Sequence, residues 1–241
     1  MASAKMKVEV WSDIMCPFCY IGKRNYESAL AQFAGSKDIE IEWKSFQLDP
    51  TIPEQTGEKQ NVYEYLAERK GMSYEQSVKM HENVVEIAKH AGLAYNFDKA
   101  IVANSFSAHK MIQLAKTKSL GDAAEERLFY AYFTEGKDFG DIETLVQLGT
   151  EIGLDEAAIR TAVNSEDYAK KVRADVAEAR NLGGGGVPFF VFNRKYAISG
   201  AQPPEAFLQT LDKSFGEWRA DNPASPFEVS EGPSCTPEGC D

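Results

Sequence analysis

Residues 7–19 read KVEVWSDIMCPFC, and this stretch decides the fold. Apolar and charged side chains alternate at its start, which is typical of a β-strand with one buried face. Helical spacing follows from Cys19 to Phe33, and residues 39–43, IEIEW, alternate again. The order of strand, helix and strand predicts a β-α-β unit in which the CPFC motif lies where the first strand gives way to the helix.

A long helical block follows this unit. From about residue 60 to about residue 180, apolar side chains recur at helical spacing, enough for roughly six helices. The unbroken glycines of residues 183–186 end the block. Residues 59–180 are therefore predicted to form an all-helical domain.

Two further strands and a helix follow the glycines. Residues 189–192 and 196–198 have the apolar content of strands, and the prolines of residues 203–204 suit the first turn of a helix that runs through Leu211. Beyond Asp221 the chain is rich in Pro, Ser, Gly and Glu, which predicts a flexible tail. The predicted divisions are residues 1–58 and 181–220 for the two halves of one core, 59–180 for the helical domain and 221–241 for the tail.

Charge and composition exclude several classes of partner. The 241-residue chain has 37 acidic and 26 basic residues and a formal net charge of −11. Such a surface repels phosphate backbones and anionic membranes. We therefore expect no nucleic-acid partner and no membrane partner.

The cysteine content points to a reducing compartment. Four cysteines are too few for a secreted disulfide scaffold in a chain of this length. The N-terminus also has no uninterrupted apolar stretch of the kind that a signal peptide or a membrane span needs. We expect a cytoplasmic protein, in which paired cysteines serve redox chemistry or bind metal.

Cys16 and Cys19 are the predicted catalytic pair. They lie one turn apart at the start of a helix, where the helix dipole and the unpaired amides favour a thiolate on Cys16. Cys16 is thus the predicted attacking sulfur, and Cys19 the sulfur that resolves the mixed disulfide. The spacing also leaves open a structural zinc half-site or two inert buried thiols.

Four residues beside the pair are predicted to bind the substrate. Pro17 suits the first helical turn, and Phe18 offers an apolar contact next to the sulfurs. Pro188, at the start of a strand, can adopt a cis bond, which exposes the preceding backbone so that Val187 pairs with an extended substrate. Taken alone, the Val-Pro sequence marks only the start of a strand.

His109 is a fifth candidate for substrate contact. It shares a helix with Phe106 and Ile112, and it either lines a cleft that faces Cys16 or is a hydrogen-bonded packing histidine. The other two histidines have no matching cysteine or acid spacing, so we expect no metal site. No glycine-rich phosphate loop precedes a helix, and we expect no cofactor.

Four stretches resemble the DsbA-like thioredoxin proteins, and most closely their cytosolic FrnE-like branch. They are residues 12–22 SDIMCPFCYIG, 104–109 NSFSAH, 187–190 VPFF and 196–204 YAISGAQPP. The resemblance implies an α/β protein with a thioredoxin-like fold, a large all-helical insertion domain and a cis Pro188 that faces the dithiol. It also implies dithiol oxidoreductase or isomerase activity on protein or peptide disulfides, with glutathione or a thioredoxin-type protein as the candidate reductant.

Two other functions stay open. Glutathione-dependent isomerases of aromatic carboxylates and kappa-type glutathione transferases share the fold and place a serine where this chain has Cys16. A chaperone-like module would instead hold unfolded chains beside an unused dithiol.

The tail contains a second candidate redox pair, Cys235 and Cys240. Pro237 and Gly239 between them favour a tight turn that brings the two sulfurs within disulfide reach. A Pro-rich tail of this length can also extend to the CPFC motif. The alternatives are unpaired thiols and a metal site shared with the CPFC motif.

Overall fold

The structure is a computed structural model, and it describes residues 4–54, 60–223, 235–236 and 239–240. The strands are β1 Met6–Ser12, β2 Ile39–Ser45, β3 Phe189–Phe192, β4 Tyr196–Ser199, β5 Cys235–Thr236 and β6 Gly239–Cys240. The helices are α1 Pro17–Gln32, α2 Val62–Lys70, α3 Tyr74–His90, α4 Phe106–Lys116, α5 Gly121–Tyr130, α6 Ile142–Glu151, α7 Glu156–Val163, α8 Glu166–Asn181 and α9 Pro204–Asp221. A 3-10 turn at Ser36–Asp38 precedes β2, and a π-helical turn at Ala131–Glu135 extends α5.

A mixed sheet in the order β2-β1-β3-β4 forms the centre of the core. Strand β1 is parallel to β2, with Val10 opposite Trp43, and antiparallel to β3, with Val10 opposite Phe190. Strand β4 then closes the sheet antiparallel to β3. Because β1 has a neighbour on each side and is covered on both faces, six of its seven residues are buried.

Helices α1 and α9 cover one face of this sheet. Tyr26 of α1 contacts Phe190 of β3 and Phe207 of α9, with ring centroids 5.7 and 5.9 Å apart. Helix α9 is ten residues longer than the predicted stretch that ends at Leu211, because buried Ser214 and Trp218 continue its apolar stripe.

Among the residues described between β2 and β3, there are seven helices, α2 to α8, against the six or so that the sequence predicts. Asp141 and Asp155 each cap a helix by accepting a bond from the amide three residues on, at 2.9 and 2.8 Å. These caps begin α6 and α7 as separate short helices. Helix α8 returns to the second face of the sheet. There the backbone carbonyl of Asp175 accepts a hydrogen bond at 2.8 Å from the indole N–H of Trp11.

Tyr20 joins the core to the helical insertion. Its ring stacks on Phe129 of α5 with centroids 5.0 Å apart, and its hydroxyl donates to Glu126 at 2.6 Å. Arg24, one turn further along α1, also pairs with Glu126. The helix that begins at the CPFC motif is therefore fixed against the insertion.

The architecture confirms the predicted thioredoxin-like core with a helical insertion. A β-α-β half and a β-β-α half build one sheet, and the insertion separates them in sequence. Within the described part of the chain, no helix is long and apolar enough to cross a membrane.

Candidate active site

The CPFC turn connects β1 to α1 and presents its first sulfur at the helix N-terminus. Cys16 is the N-cap residue of α1, with φ −88° and ψ 110°, and Pro17 follows in the first turn. The Cys16 amide donates to the Asp13 carbonyl at 2.9 Å, and the Cys19 amide donates to the Cys16 carbonyl at 3.0 Å. Proline fits the first turn because the amides there have no acceptor within the helix. The turn thereby brings both cysteines to one end of α1.

Both thiols are free and nearly buried. Cys16 has 5% of its surface exposed, whereas Cys19 has 1%. Burial raises the pKa of the Cys19 thiol well above its ordinary value, and the contact with Cys16 and the charge on that sulfur raise it further. The Asp13 amide and the Ser12 side chain oppose this effect on the Cys19 pKa. Cys19 therefore stays protonated at neutral pH, and Cys16 is the more accessible sulfur.

Val187 and Pro188 face the dithiol from the start of β3. The peptide bond between them is cis, as the family resemblance implied. The thiol of Cys16 donates to the Val187 carbonyl oxygen at 3.5 Å. The amide of Gly200 donates a hydrogen bond to the Pro188 carbonyl at 2.8 Å. Pro188 is buried and Val187 is half-buried, so Val187 borders the open surface.

Gly22 allows Pro188 to pack closely on α1. A Cβ atom at position 22 would lie 3.0 Å from Cγ of Pro188 and 3.4 Å from the ring of Phe190. Carbon atoms in good contact lie about 3.5 to 4.0 Å apart, so any larger residue here would displace Pro188. Gly22 ends the SDIMCPFCYIG stretch, but the sequence alone gives it no role.

Two aromatic residues lie next to the CPFC turn. Phe18 is 39% exposed, so its ring lies at the surface. Tyr95 is buried in the insertion, and its hydroxyl donates to the Pro17 carbonyl at 2.7 Å. No sequence signal marks Tyr95, because it follows α3 in an irregular segment that carries no motif.

His109 does not line the surface. Its side chain on α4 has no exposed area, and its Nε2 atom lies 3.5 Å from Oδ1 of Asp13. Burial alone would lower the pKa of His109, but the neighbouring carboxylate of Asp13 and the charge of Glu125 raise that pKa above its ordinary value. The prediction that His109 contacts substrate is wrong because no face of the ring reaches the surface. The alternative, a histidine held within the packing, fits its position.

The described part of the tail contains only short backbone segments. Strands β5 and β6 pair antiparallel, with Cys235 opposite Cys240. Residues 224–234 and 237–238 lie outside the described residues, and so does most of the predicted flexible tail. In the segments that the structure describes, no group of three or more His, Cys, Asp or Glu residues could hold a metal ion.

The fold and the paired cysteines define a protein of the thioredoxin-fold class. The chain belongs to the DsbA-like family: the family's sequence model, described as the DSBA-like thioredoxin domain, matches residues 7–212. A curated relative, the uncharacterized protein YwbO of Bacillus subtilis, is 28% identical over 164 residues, which cover 67% of this chain and 73% of YwbO.

Solved structures extend the comparison. A probable DsbA oxidoreductase from Streptomyces coelicolor is 37% identical, with a TM-score of 0.83 and 98% of each chain covered. The cytosolic disulfide reductase DsbM from Pseudomonas aeruginosa, solved with GSH, is 18% identical, with a TM-score of 0.62 over 87% of this chain and 99% of DsbM. A 2-hydroxychromene-2-carboxylate isomerase is 17% identical, with a TM-score of 0.61 over 90% of this chain and 98% of that one. The last two share the fold alone.

Proposed function

We propose that this protein is a thiol–disulfide oxidoreductase or isomerase that acts on protein or peptide disulfides through Cys16 and Cys19. The observation that carries the proposal is the pair of free thiols at the N-terminus of α1, with the Val187 carbonyl 3.5 Å from the Cys16 sulfur. A thiolate is the attacking species in disulfide exchange, and a helix N-terminus favours it. Membership of the DsbA-like family supports the same chemistry.

The reaction follows from the unequal burial of the two sulfurs. The Cys16 thiolate attacks one sulfur of the substrate disulfide, whose other sulfur leaves and takes up a proton. Cys19 then loses its proton and attacks the Cys16 sulfur, which releases the second substrate thiol. The substrate gains two electrons, and the protein is left with a Cys16–Cys19 disulfide. Two glutathione molecules, or one thioredoxin-type dithiol, return the two electrons.

An extended peptide is the substrate shape that fits this site best. The half-buried Val187 offers its backbone beside Cys16, in the way that a strand edge pairs with an added strand. The exposed ring of Phe18 supplies an apolar contact on the other side of the sulfur. Pro17 and the buried Pro188 contribute by fixing the shape of the two backbone segments.

The direction of electron flow and the compartment are part of the proposal. The CPFC motif has no histidine between its cysteines, so we expect a potential between those of strong reductants and strong oxidants. DsbM, which shares the fold, is a cytosolic disulfide reductase and was solved with GSH, which supports glutathione as a reductant and a cytoplasmic location. Membership of the FrnE-like branch would place this chain in the same compartment.

A glutathione-dependent isomerase or transferase of small molecules is the second candidate function. It draws support from the structural likeness to 2-hydroxychromene-2-carboxylate isomerase. The nucleophile position argues against it, because those enzymes place a serine where this chain has Cys16. A chaperone-like module is the third candidate, and it would need neither sulfur.

Turnover assays with matched substrates separate the three functions. We expect the purified protein to reduce insulin with dithiothreitol or glutathione, because the thiolate of Cys16, the more accessible of the two sulfurs, needs only an accessible disulfide. We expect no glutathione-dependent isomerisation of a chromene carboxylate and no conjugation of a haloaromatic compound. Turnover of either small molecule without insulin reduction would replace the proposal by the second candidate. Binding of unfolded chains without any turnover would favour the third.

We further propose that Cys235 and Cys240 form a second redox pair that exchanges electrons with the CPFC motif. The pairing of β5 with β6 sets the two residues opposite each other, the register at which disulfides span neighbouring strands. We expect Cys19→Ser to accumulate a bond between Cys16 and a tail cysteine, seen by non-reducing peptide mapping. Absence of this bond, with turnover unchanged after deletion of residues 230–241, would leave the tail without a catalytic role.

A further inference from the structure

Three buried polar side chains lie together behind the CPFC turn. Asp13 precedes the turn, His109 lies on α4, and Glu125 lies on α5. None of the three has exposed surface. We refer to Asp13, His109 and Glu125 as the buried triad. Ionisable groups are rarely buried this completely unless they are paired or serve a function.

The buried triad is poorly satisfied by hydrogen bonds. The carboxylate oxygens of Glu125 have no hydrogen-bond partner among the described residues, and the ring nitrogens of His109 make no hydrogen bond of normal geometry, although the Asp13 carboxylate and the Phe46 backbone lie close enough to raise the pKa of that ring. The 3.5 Å between Nε2 of His109 and Oδ1 of Asp13 is an ion-pair distance that exceeds a normal hydrogen bond. Unsatisfied buried groups cost folding free energy, so a purely structural role does not explain why two of them lie together.

Asp13 connects the triad to both sulfurs. Its carbonyl accepts the amide of Cys16 at 2.9 Å, and its own amide faces the Cys19 sulfur. One oxygen of its carboxylate accepts the Leu48 amide at 2.7 Å, and the other accepts the Met15 amide at 3.5 Å, which fixes the side chain next to the CPFC turn. A change of charge on His109 or Glu125 therefore reaches the dithiol through one intervening residue.

We propose that His109 and Glu125 are positioning residues that act through Asp13 to set the charge behind the dithiol, and thereby the reduction potential of the Cys16–Cys19 pair. This inference rests on the proposed function, because it assumes that the pair cycles between dithiol and disulfide. Neither side chain touches the substrate.

The charge of the triad changes within the physiological pH range. Burial raises the pKa of Glu125 to about 7, the charge of His109 opposes the rise, and the charge of Asp122 adds to it. The carboxylate of Asp13 and the charge of Glu125 raise the pKa of His109 above its ordinary value. Ionisation of Glu125 adds one negative charge to the triad. The other charged or titratable groups that face it are Lys23 on α1, Tyr65 on α2, Lys116 on α4, Asp122 on α5 and Tyr132 after α5.

The sign of the effect follows from electrostatics. Reduction of the disulfide takes up two electrons from glutathione and up to two protons from water. When only one proton is taken up, one of the two sulfurs of the reduced form is a thiolate. A negative charge behind the sulfurs destabilises that thiolate and therefore the reduced form. Ionised Glu125 makes the dithiol more reducing, whereas the His109 cation makes it more oxidising.

Redox titration of the full-length protein at two pH values tests the proposal. The protein is equilibrated with mixtures of reduced and oxidised glutathione at pH 6 and pH 8, and the peptide carrying Cys16 and Cys19 is quantified by mass spectrometry. At pH 8, Glu125→Gln is expected to shift the equilibrium about threefold toward the dithiol, and His109→Gln about threefold toward the disulfide. A charge in direct contact shifts a pKa by about one to three units. Across an intervening residue we expect a shift of about half a unit, which corresponds to about threefold in the equilibrium.

The pH dependence separates an electrostatic role from a structural one. Because burial raises the pKa of Glu125 to about 7, the protonated form predominates at pH 6, and Glu125→Gln is expected to have a much smaller effect there than at pH 8. The matched control is Glu86→Gln, the same change at a side chain that is 64% exposed, with no shift at either pH. If Glu125→Gln fails to fold, the wild-type potential alone should depart near pH 7 from a straight dependence on pH.

Three results would overturn the inference. Equal shifts of Glu125→Gln at pH 6 and pH 8, or shifts of the same sign in Glu125→Gln and His109→Gln at pH 8, would indicate damaged packing. A wild-type potential without an inflection near pH 7 would contradict it as well. Failure of the Cys16–Cys19 disulfide to form reversibly would instead contradict the proposed function, so the two failures are distinguishable.

Discussion

Replacement of Cys16 by alanine is expected to abolish disulfide reduction, with a loss of several orders of magnitude in turnover. The thiolate is the only nucleophile that the site presents at the N-terminus of α1 among the residues described, and the methyl group of alanine cannot form a mixed disulfide. The insulin assay with dithiothreitol measures this loss directly. Undiminished turnover in Cys16→Ala would remove the CPFC motif from the mechanism.

Cys19→Ala is the matched variant for this experiment. It removes the same atom from the neighbouring, almost fully buried position, but it leaves the attacking sulfur in place. We expect it to form a stable mixed disulfide between Cys16 and the substrate, because the resolving thiol is gone. Without an external thiol such as dithiothreitol, the reaction should stop at this adduct. Equal formation of this adduct in both variants would show that the roles of the two sulfurs are assigned wrongly.

Phe133→Ala is expected to lower the free energy of unfolding by about 3 to 5 kcal/mol, the usual cost of truncating a buried phenylalanine. The ring has no exposed surface. Its centroid lies 4.6 Å from that of Tyr95 and 4.8 Å from that of Tyr132, and it also contacts Tyr20 on the helix of the dithiol. Removal leaves a cavity at the junction between core and insertion. Urea denaturation followed by tryptophan fluorescence measures the change.

Tyr130→Ala is the control for this loss. It removes an aromatic ring three residues earlier, at a side chain that is 46% exposed. Surface truncations of this kind change stability by about 0.5 kcal/mol. Comparable losses in the two variants would mean that the ring of Phe133 is not a central part of the packing. Loss of insulin reduction before loss of fold in Phe133→Ala would indicate that Tyr95 holds the CPFC turn in place.

Local patterns predicted the elements that carry the site. The alternation in β1 and β2 differs from the helical spacing of α1, and β3 was predicted with its observed bounds because both glycines and proline flank its apolar run. These signals depend only on neighbouring residues. The dithiol could be assigned for the same reason, since Cys16 and Cys19 share one turn.

Contacts between distant segments could not be predicted in this way. Tyr95 reaches Pro17, and His109 reaches Asp13, only after the insertion has folded back on the core. His109 also has apolar neighbours on its own helix, a pattern that fits both a cleft wall and a buried position. Glu125 and Glu126 are neighbours on α5, yet only Glu126 is close to the surface. One sequence contains no signal that distinguishes two adjacent glutamates of this kind.

The pairing of β1 with β3 has a consequence for synthesis of the chain. Val8 lies opposite Phe192, so the central strand gains its second neighbour only when nearly the whole sequence has left the ribosome. Contacts between residues so far apart form slowly, whereas helix–helix contacts close in sequence form early. We therefore expect the insertion to fold during translation. The sheet that α1 covers is complete only after β3 and β4 have been synthesised.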